Sequence, residues 1–242
     1  MNVTAKTDTG LVRSQNQDAY AVGELSPSLG WAVVCDGMGG PAGGNIASEM
    51  AVQTVAEGLN RLLHAESTAE EMHGAIAEVI NAANLRIFEM GEANSDLTGM
   101  GTTLVLCILR EGTLTVAHAG DSRAYLIQGA DIKRLTSDHS LVQNMVERGE
   151  ISKDEANTHP QRNIITRALG VSPEVDFDLA AHDISPESII LLCTDGLTNL
   201  CEDGEIAETI ANEGAAGGPQ ALINLAIRRG GTDNITVVAL QQ

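Results

Sequence analysis

Four segments of this chain are read as apolar β-runs that end in an aspartate beside glycine or a small polar residue: Val33-Val34-Cys35-Asp36-Gly37, Ala117-His118-Ala119-Gly120-Asp121-Ser122, Leu191-Leu192-Cys193-Thr194-Asp195-Gly196 and Gly230-Gly231-Thr232-Asp233-Asn234. Aspartate is a poor strand residue, and one Asp-Gly after a strand is an ordinary turn. Recurrence within one chain constrains far more. If those strand ends converge, the carboxylates lie within a few ångströms, where like charges repel by kilocalories unless cations stand between them. Hard divalent ions fit the donors, because Mg²⁺ takes oxygen ligands in octahedral geometry and short aspartates on stiff strands supply few of them. The neighbouring glycines let a backbone carbonyl approach an ion as well. Zinc fits less well, since His64, His73, His118, His139, His159 and His182 form no HxxxH or HxH pair.

The rest of the pattern describes what carries these aspartates. Short β-type runs come first, Val3–Thr7 and Trp31–Cys35, with Ala19–Val22 following Asp18. Apolar residues then recur at three-to-five-residue spacing, Ile46, Met50, Val55, Leu59 and Leu62, then Met72, Ile76, Val79, Ala83 and Ile87, predicting two amphipathic helices. Strands are predicted at Thr103–Leu109, Leu114–His118 and Ala124–Gln128, the first two joined by a hairpin at Glu111-Gly112. A helix over Leu141–Arg148 follows, then strands at Val175–Ala180 and Ser188–Cys193, helices at Glu202–Ala211 and Pro219–Arg229, and a closing strand Ile235–Leu240. Helices grouped in pairs do not follow the alternation of a doubly wound fold. An α+β sandwich of mostly antiparallel sheets covered by helix pairs fits better. No linker divides residues 1–242, so one domain is expected.

Composition narrows function. The net charge of −19 repels phosphate backbones, and the 2% aromatic content leaves few stacking platforms, so nucleic acid is excluded as a partner. A protein this acidic that handles a phosphate must reverse its sign locally, and bound cations do so. Arg13 is one of 14 basic residues, and its guanidinium suits a phosphoryl group. The four cysteines lack CxxC spacing, and Cys35, Cys107 and Cys193, inside apolar runs, read as small buried thiols. No signal-peptide core or membrane span is visible, so a cytoplasmic, membrane-free protein is expected. Asp36-Gly37-Met38-Gly39-Gly40-Pro41-Ala42-Gly43-Gly44 lacks the Lys-Ser/Thr ending of a nucleotide P-loop, and reads instead as a turn that delivers Asp36 and the Gly37 carbonyl.

Arg13…Asn16-Gln17-Asp18, Asp36-Gly37-Met38-Gly39-Gly40, Gly99-Met100-Gly101-Thr102-Thr103-Leu104, Gly120-Asp121-Ser122-Arg123-Ala124-Tyr125, Thr194-Asp195-Gly196-Leu197 and Asp233-Asn234-Ile235-Thr236 occur in this order. From about residue 5 to residue 240 the chain resembles the metal-dependent protein phosphatases of type 2C, in their short bacterial form. The resemblance implies a four-layer α-β-β-α sandwich with a dinuclear Mg²⁺ or Mn²⁺ site at one end. It implies that Asp36 bridges two ions, Asp195 and Asp233 complete the first and the Gly37 carbonyl the second. Asp18 acts through waters on the ions, Asp121 joins Asp195 at a third, and Arg13 holds the substrate phosphate. The implied reaction is hydrolysis of phosphoserine or phosphothreonine by a metal-bridging hydroxide in a single displacement, with no phosphoenzyme. Implied partners are phosphorylated proteins, including a bacterial serine/threonine kinase and its substrates, with the enzyme a monomer. A silent, phosphoprotein-binding pseudophosphatase is the alternative, and a metal-dependent phosphodiesterase or nuclease a third reading, which the charge opposes.

Two departures stand out. Met38 occupies the place where many eukaryotic members carry a histidine, and Gln17 stands where an acid is common. His159 is then one candidate proton donor to the leaving group, though a surface histidine is the plainer reading. Residues 145–163 align with the family's flap.

Overall fold

Successive strand residues point to opposite faces, and here both faces are apolar. The computed structural model describes residues 1–241. Along β3 (Leu29–Met38), Trp31, Val33 and Cys35 join one core cluster while Ala32 and Val34 join another. β5 (Leu104–Arg110) repeats this, with Leu104, Leu106 and Ile108 on one side and Val105, Cys107 and Leu109 on the other. Strands buried on both faces read as continuous apolar runs, as these do in the sequence.

Two antiparallel sheets result. One is ordered β1 (Asn2–Asp8), β11 (Ile235–Gln241), β10 (Ile189–Cys193), β7 (Arg123–Gln128), β8 (Asp131–Arg134). The other is ordered β2 (Asp18–Ser26), β3, β5, β6 (Thr113–Ala119), β9 (Asp178–Asp183), with β4 (Gly101–Thr102) on β3. Ala32, Val34, Val105 and Cys107 of one sheet pack with Ala124, Leu126, Ile190, Leu192 and Val238 of the other, so the sheets meet face to face. The outer face of the β3 sheet is covered by α1 (Gly40–Leu62) and α2 (Ala69–Ala93), whose predicted stripes Val55, Leu59, Ile76, Val79 and Ile87 are buried there. The outer face of the other sheet is covered by α6 (Asp203–Arg228) through Ile206, Ile210, Leu222 and Ile223. The layers are α-β-β-α.

The hairpin at Glu111-Gly112 has both residues at positive φ, 38° and 80°, as a primed turn requires. Two strands differ from expectation. β9 is Asp178–Asp183 rather than 175–180, because Val175 and Phe177 pack onto the helix-side core before the strand begins. β8 is a polar edge strand with no apolar run to announce it. The helices expected at 202–211 and 219–229 are both present within α6, whose helical run is broken between them at Gly214, with φ 67° and ψ −178°. The helix expected over Leu141–Arg148 is α3 (Leu141–Glu147), followed by a further short helix, α4 (Lys153–Thr158). Among the described residues no helix is long and apolar enough to cross a membrane.

Candidate active site

Antiparallel pairing puts the end of one strand beside the start of the next, and that brings the aspartates together. In the β2–β3 register Asp18, the first residue of β2, lies opposite Asp36 near the end of β3. Cys193, at the end of β10, lies opposite Arg123 at the start of β7 and Val237 of β11. Asp195 opens a single helical turn, α5 (Asp195–Thr198), just past β10, and Asp121 sits in the bend between β6 and β7. Asp233 differs from expectation, since it follows α6 and precedes β11 rather than ending a strand. All of these ends lie on one edge of the sandwich.

Asp18 stitches the two sheets together there. Its Oδ2 accepts hydrogen bonds from Thr194 Oγ1 (2.9 Å), just past β10, and from Thr236 Oγ1 (2.7 Å) on β11, so the bonds cross to the facing sheet. Asp36 is held through its backbone: its N–H donates to Thr103 Oγ1 (3.0 Å), and its carbonyl accepts from Thr103 N–H (2.9 Å) and Thr102 Oγ1 (2.9 Å). Gly37 donates its N–H to Gln17 O at 3.0 Å, and a Cβ at Gly37 would stand 1.9 Å from Gly44 O at the start of α1. Only glycine permits that approach of helix to strand.

The electrostatics are those of crowded acids. Burial raises the Asp36 pKa well above the ordinary carboxylate range, reinforced in turn by Asp18, Asp195, Asp121 and Asp233. Burial pushes Asp18 up to about 7 despite its two threonine donors. Asp121 also rises to about 7, from burial first and then Asp195. Asp195 is raised by burial and by Asp233, with partial relief from Asn199, whose Nδ2 donates to Oδ2 at 2.9 Å. Asp18 Oδ1 and Asp195 Oδ1 are buried with no hydrogen-bond donor in reach. Buried polar atoms are almost always satisfied. Unpartnered carboxylate oxygens in an all-oxygen cluster suit a hard divalent cation.

Arg13 is the cation at the mouth. Its Nη2 donates to Asp233 Oδ2 at 2.7 Å, and its guanidinium pKa is raised chiefly by that bond. The loop that carries it is anchored by Asn234, which is buried. Asn234 Nδ2 donates to Thr9 O (2.9 Å) and Gln15 O (2.9 Å), while its Oδ1 accepts from Gln17 N–H (2.8 Å). Leu11 N–H donates to Gly231 O at 2.7 Å on the same side. The structure thus brings together Arg13, Asp18, Asp36, Gly37, Asp121, Asp195 and Asp233.

Residue-type reasoning passed over Thr194, Thr236, Thr103 and Asn234. Their signal was faint: a hydroxyl or amide next to an acid at a strand terminus. Gln17, in the position where an acid is common, bonds through Nε2 to Gly40 O at 2.9 Å, so it ties the first loop to the entry of α1. Met38 turns its methyl toward Gly101. His159 caps its own turn, its Nδ1 accepting from Gln161 N–H at 3.1 Å.

The chain is similar throughout to proteins of one kind. A sequence model of the family described as Protein phosphatase 2C matches residues 12–213. The serine/threonine phosphatase stp of Listeria monocytogenes is 38% identical over 243 residues, covering 100% of this chain and 96% of that protein. The crystal structure of serine/threonine phosphatase Stp1 from Staphylococcus aureus superposes with a TM-score of 0.92 at 33% identity, over 99% of this chain and 94% of that one. The crystal structure of the catalytic domain of serine/threonine protein phosphatase PstP, in complex with two manganese ions, gives 0.86 at 33% identity, over 98% and 96%. With strand-end acids on the same kind of sandwich, and likeness running the length of the chain, this protein belongs to the protein phosphatase 2C family.

Proposed function

We propose that this protein is a metal-dependent serine/threonine phosphatase that hydrolyses phosphoserine and phosphothreonine in phosphorylated proteins and uses Mg²⁺ or Mn²⁺, two ions or three. The observation that carries it is the cluster of Asp18, Asp36, Asp121, Asp195 and Asp233, with two buried oxygens that have no donor and Arg13 at its rim. Asp36, Asp195, Asp233 and the Gly37 carbonyl would hold two ions, with Asp36 contributing to both, while Asp18 would act through water and Asp121 would join Asp195 at a third. When bound, such ions supply Lewis acidity that brings a water's pKa toward neutral and offsets charge on phosphoryl oxygens.

The chain's own residues do the rest. Arg13, paired with Asp233 at 2.7 Å, is the guanidinium placed to clamp phosphoryl oxygens and stabilise charge as it builds. Cys35, Cys107, Cys193 and Cys201 are buried with thiol pKa values pushed up, Cys107 and Cys193 to about 12, so none offers a thiolate nucleophile. Met38 has no proton to give, so the leaving alkoxide takes its proton from water. Residues 1–242 act as one catalytic domain, with 145–163 as a flap over its edge. The kinase whose phosphorylation it reverses is a bacterial serine/threonine kinase, and the enzyme acts as a cytoplasmic monomer.

Hydrolysis of a phosphothreonine peptide and of p-nitrophenyl phosphate, with Mn²⁺ or with EDTA, tests this reading. Turnover that needs the metal, and falls by about 10²–10³-fold or more in Asp36→Asn and Asp233→Asn, is expected. Metal-independent turnover, or full activity in Asp36→Asn, would overturn it. Phosphopeptide binding without any turnover would favour the silent alternative.

A further inference from the structure

Asp121 stands in the bend between β6 and β7, with no strand of its own. The residue before it, Gly120, has φ 112°, and a Cβ there would lie 2.7 Å from Thr103. A carboxylate so placed is aimed only if something outside the bend holds it. His139 does so twice. Its backbone N–H donates to Gly120 O at 2.9 Å, and its ring Nδ1 accepts from Gly120 N–H at 3.2 Å. Two bonds to one glycine fix the peptide planes on both sides of it.

The ring is held in turn. With Nδ1 accepting, the proton of the neutral ring sits on Nε2, which faces Asp178 Oδ2 at 3.4 Å. Arg167 Nη1 donates to Asp178 Oδ1 at 2.9 Å and lies 3.2 Å from His139 Nε2. The other face stacks on His118, centroids 4.4 Å apart and planes within 15°, and His118 Nε2 is tied to Ser137 O at 2.8 Å. His118, His139 and Asp178 have the spacing of a metal-ligand trio. A guanidinium already stands in it, and the Nε2 proton points at the carboxylate, so the trio is a closed brace rather than a second ion site.

We infer that His139 is a positioning residue for Asp121, holding the Gly120–Asp121 bend so that this carboxylate meets its ion, with Arg167 and Asp178 orienting the ring. The inference rests on the reading that Asp121 binds a divalent cation. His139 O also accepts from Thr166 N–H at 2.7 Å, and Leu141 N–H donates to Ile164 O at 2.8 Å, so the two ends of the excursion through residues 141–164 are tied to each other beside His139.

Two substitutions separate the ring's two nitrogens. Asparagine sets its amide oxygen near the place of Nδ1 and keeps the bond from Gly120, whereas glutamine reaches the place of Nε2 and loses it. Mn²⁺ binding to the purified protein is measured by calorimetry, and kcat and KM for p-nitrophenyl phosphate are followed against Mn²⁺ concentration. His139→Gln is expected to weaken the loosest Mn²⁺ site by about 10–100-fold with KM unchanged, His139→Asn by no more than about threefold. Arg167→Ala alters a half-exposed side chain that folding tolerates, and weakens that same site by roughly three- to tenfold. Adding His139→Gln to Asp121→Asn is expected to cost nothing further. Equal losses in the two His139 variants, an unchanged site in Arg167→Ala, or an additive double variant would overturn the inference. If the wild type binds Mn²⁺ in this pattern but cleaves no phosphoester, the brace stands and the phosphatase reading falls. If turnover needs Mn²⁺ while the pattern is missing, the brace alone falls.

Discussion

Two groups of ionisable side chains meet near the β6–β7 bend, and they are built on opposite rules. In the first, every charge has a partner. Arg123 donates from Nε and Nη2 to the two oxygens of Asp138 at 2.9 and 2.6 Å, Arg134 stands 3.6 Å from the same carboxylate, and Arg167 pairs with Asp178. In the second, burial first and neighbouring carboxylates after it raise the pKa values of Asp18, Asp36, Asp121 and Asp195, and among the described residues only Arg13 forms an ion pair with the cluster, at Asp233. A chain that pairs its charges so fully in one place has not failed to do so by accident a few residues away. The uncompensated cluster is where external cations belong.

The contrast gives the two groups opposite responses to losing a carboxylate. Asp138→Ala leaves Arg123 buried without its bidentate partner, and breaking such a pair costs about 3–5 kcal/mol. For a chain of this length that lowers Tm by roughly 6–20 °C, with or without Mn²⁺, as differential scanning calorimetry would register. Asp36→Asn should do the reverse in metal-free protein at pH 8, removing an unpaired buried charge and raising Tm by about 3–8 °C. In excess Mn²⁺ the order inverts, because the wild type gains from bound metal and the variant scarcely does.

The smallest effect comes with acid. A carboxyl whose folded pKa is raised contributes stability that is fully present below its unfolded pKa near 4, and is lost as pH rises through the folded value. For Asp18 and Asp121 that value is about 7, so metal-free wild-type protein loses this contribution between about pH 4 and 8. The Tm advantage of Asp36→Asn should therefore shrink to within about 2 °C at pH 5. An advantage that grows toward pH 5 would mean that the cluster is not held apart from neutrality by repulsion.

Much of the sandwich was legible because its strands bury both faces and its helices bury one. Trp31–Cys35 and Leu104–Leu109 announce themselves as unbroken apolar runs, and Ile76, Val79 and Ile87 as a stripe. Asp131–Arg134 did not, since an edge strand paired on one side needs no apolar residue. The helices read at 202–211 and 219–229 are separate as expected, since Gly214 leaves the helical conformation between them. The acids of the site were visible one by one, while their convergence was not. Antiparallel registers such as Asp18 opposite Asp36 depend on which strands pair, and a sequence does not display that. The resemblance to a known family supplied it. Thr194 and Thr236 escaped because a buried hydroxyl facing a carboxylate across two sheets leaves no local pattern.

Anomalous diffraction at the manganese edge, from crystals soaked in Mn²⁺, tests most directly whether cations make this gathering of acids tolerable. The expected result is at least two peaks at the sandwich edge, one within about 2–2.5 Å of oxygens from Asp36, Asp195 and Asp233, with Arg13 released from Asp233. Manganese absent from these carboxylates, or bound instead by His118, His139 and Asp178, would contradict it.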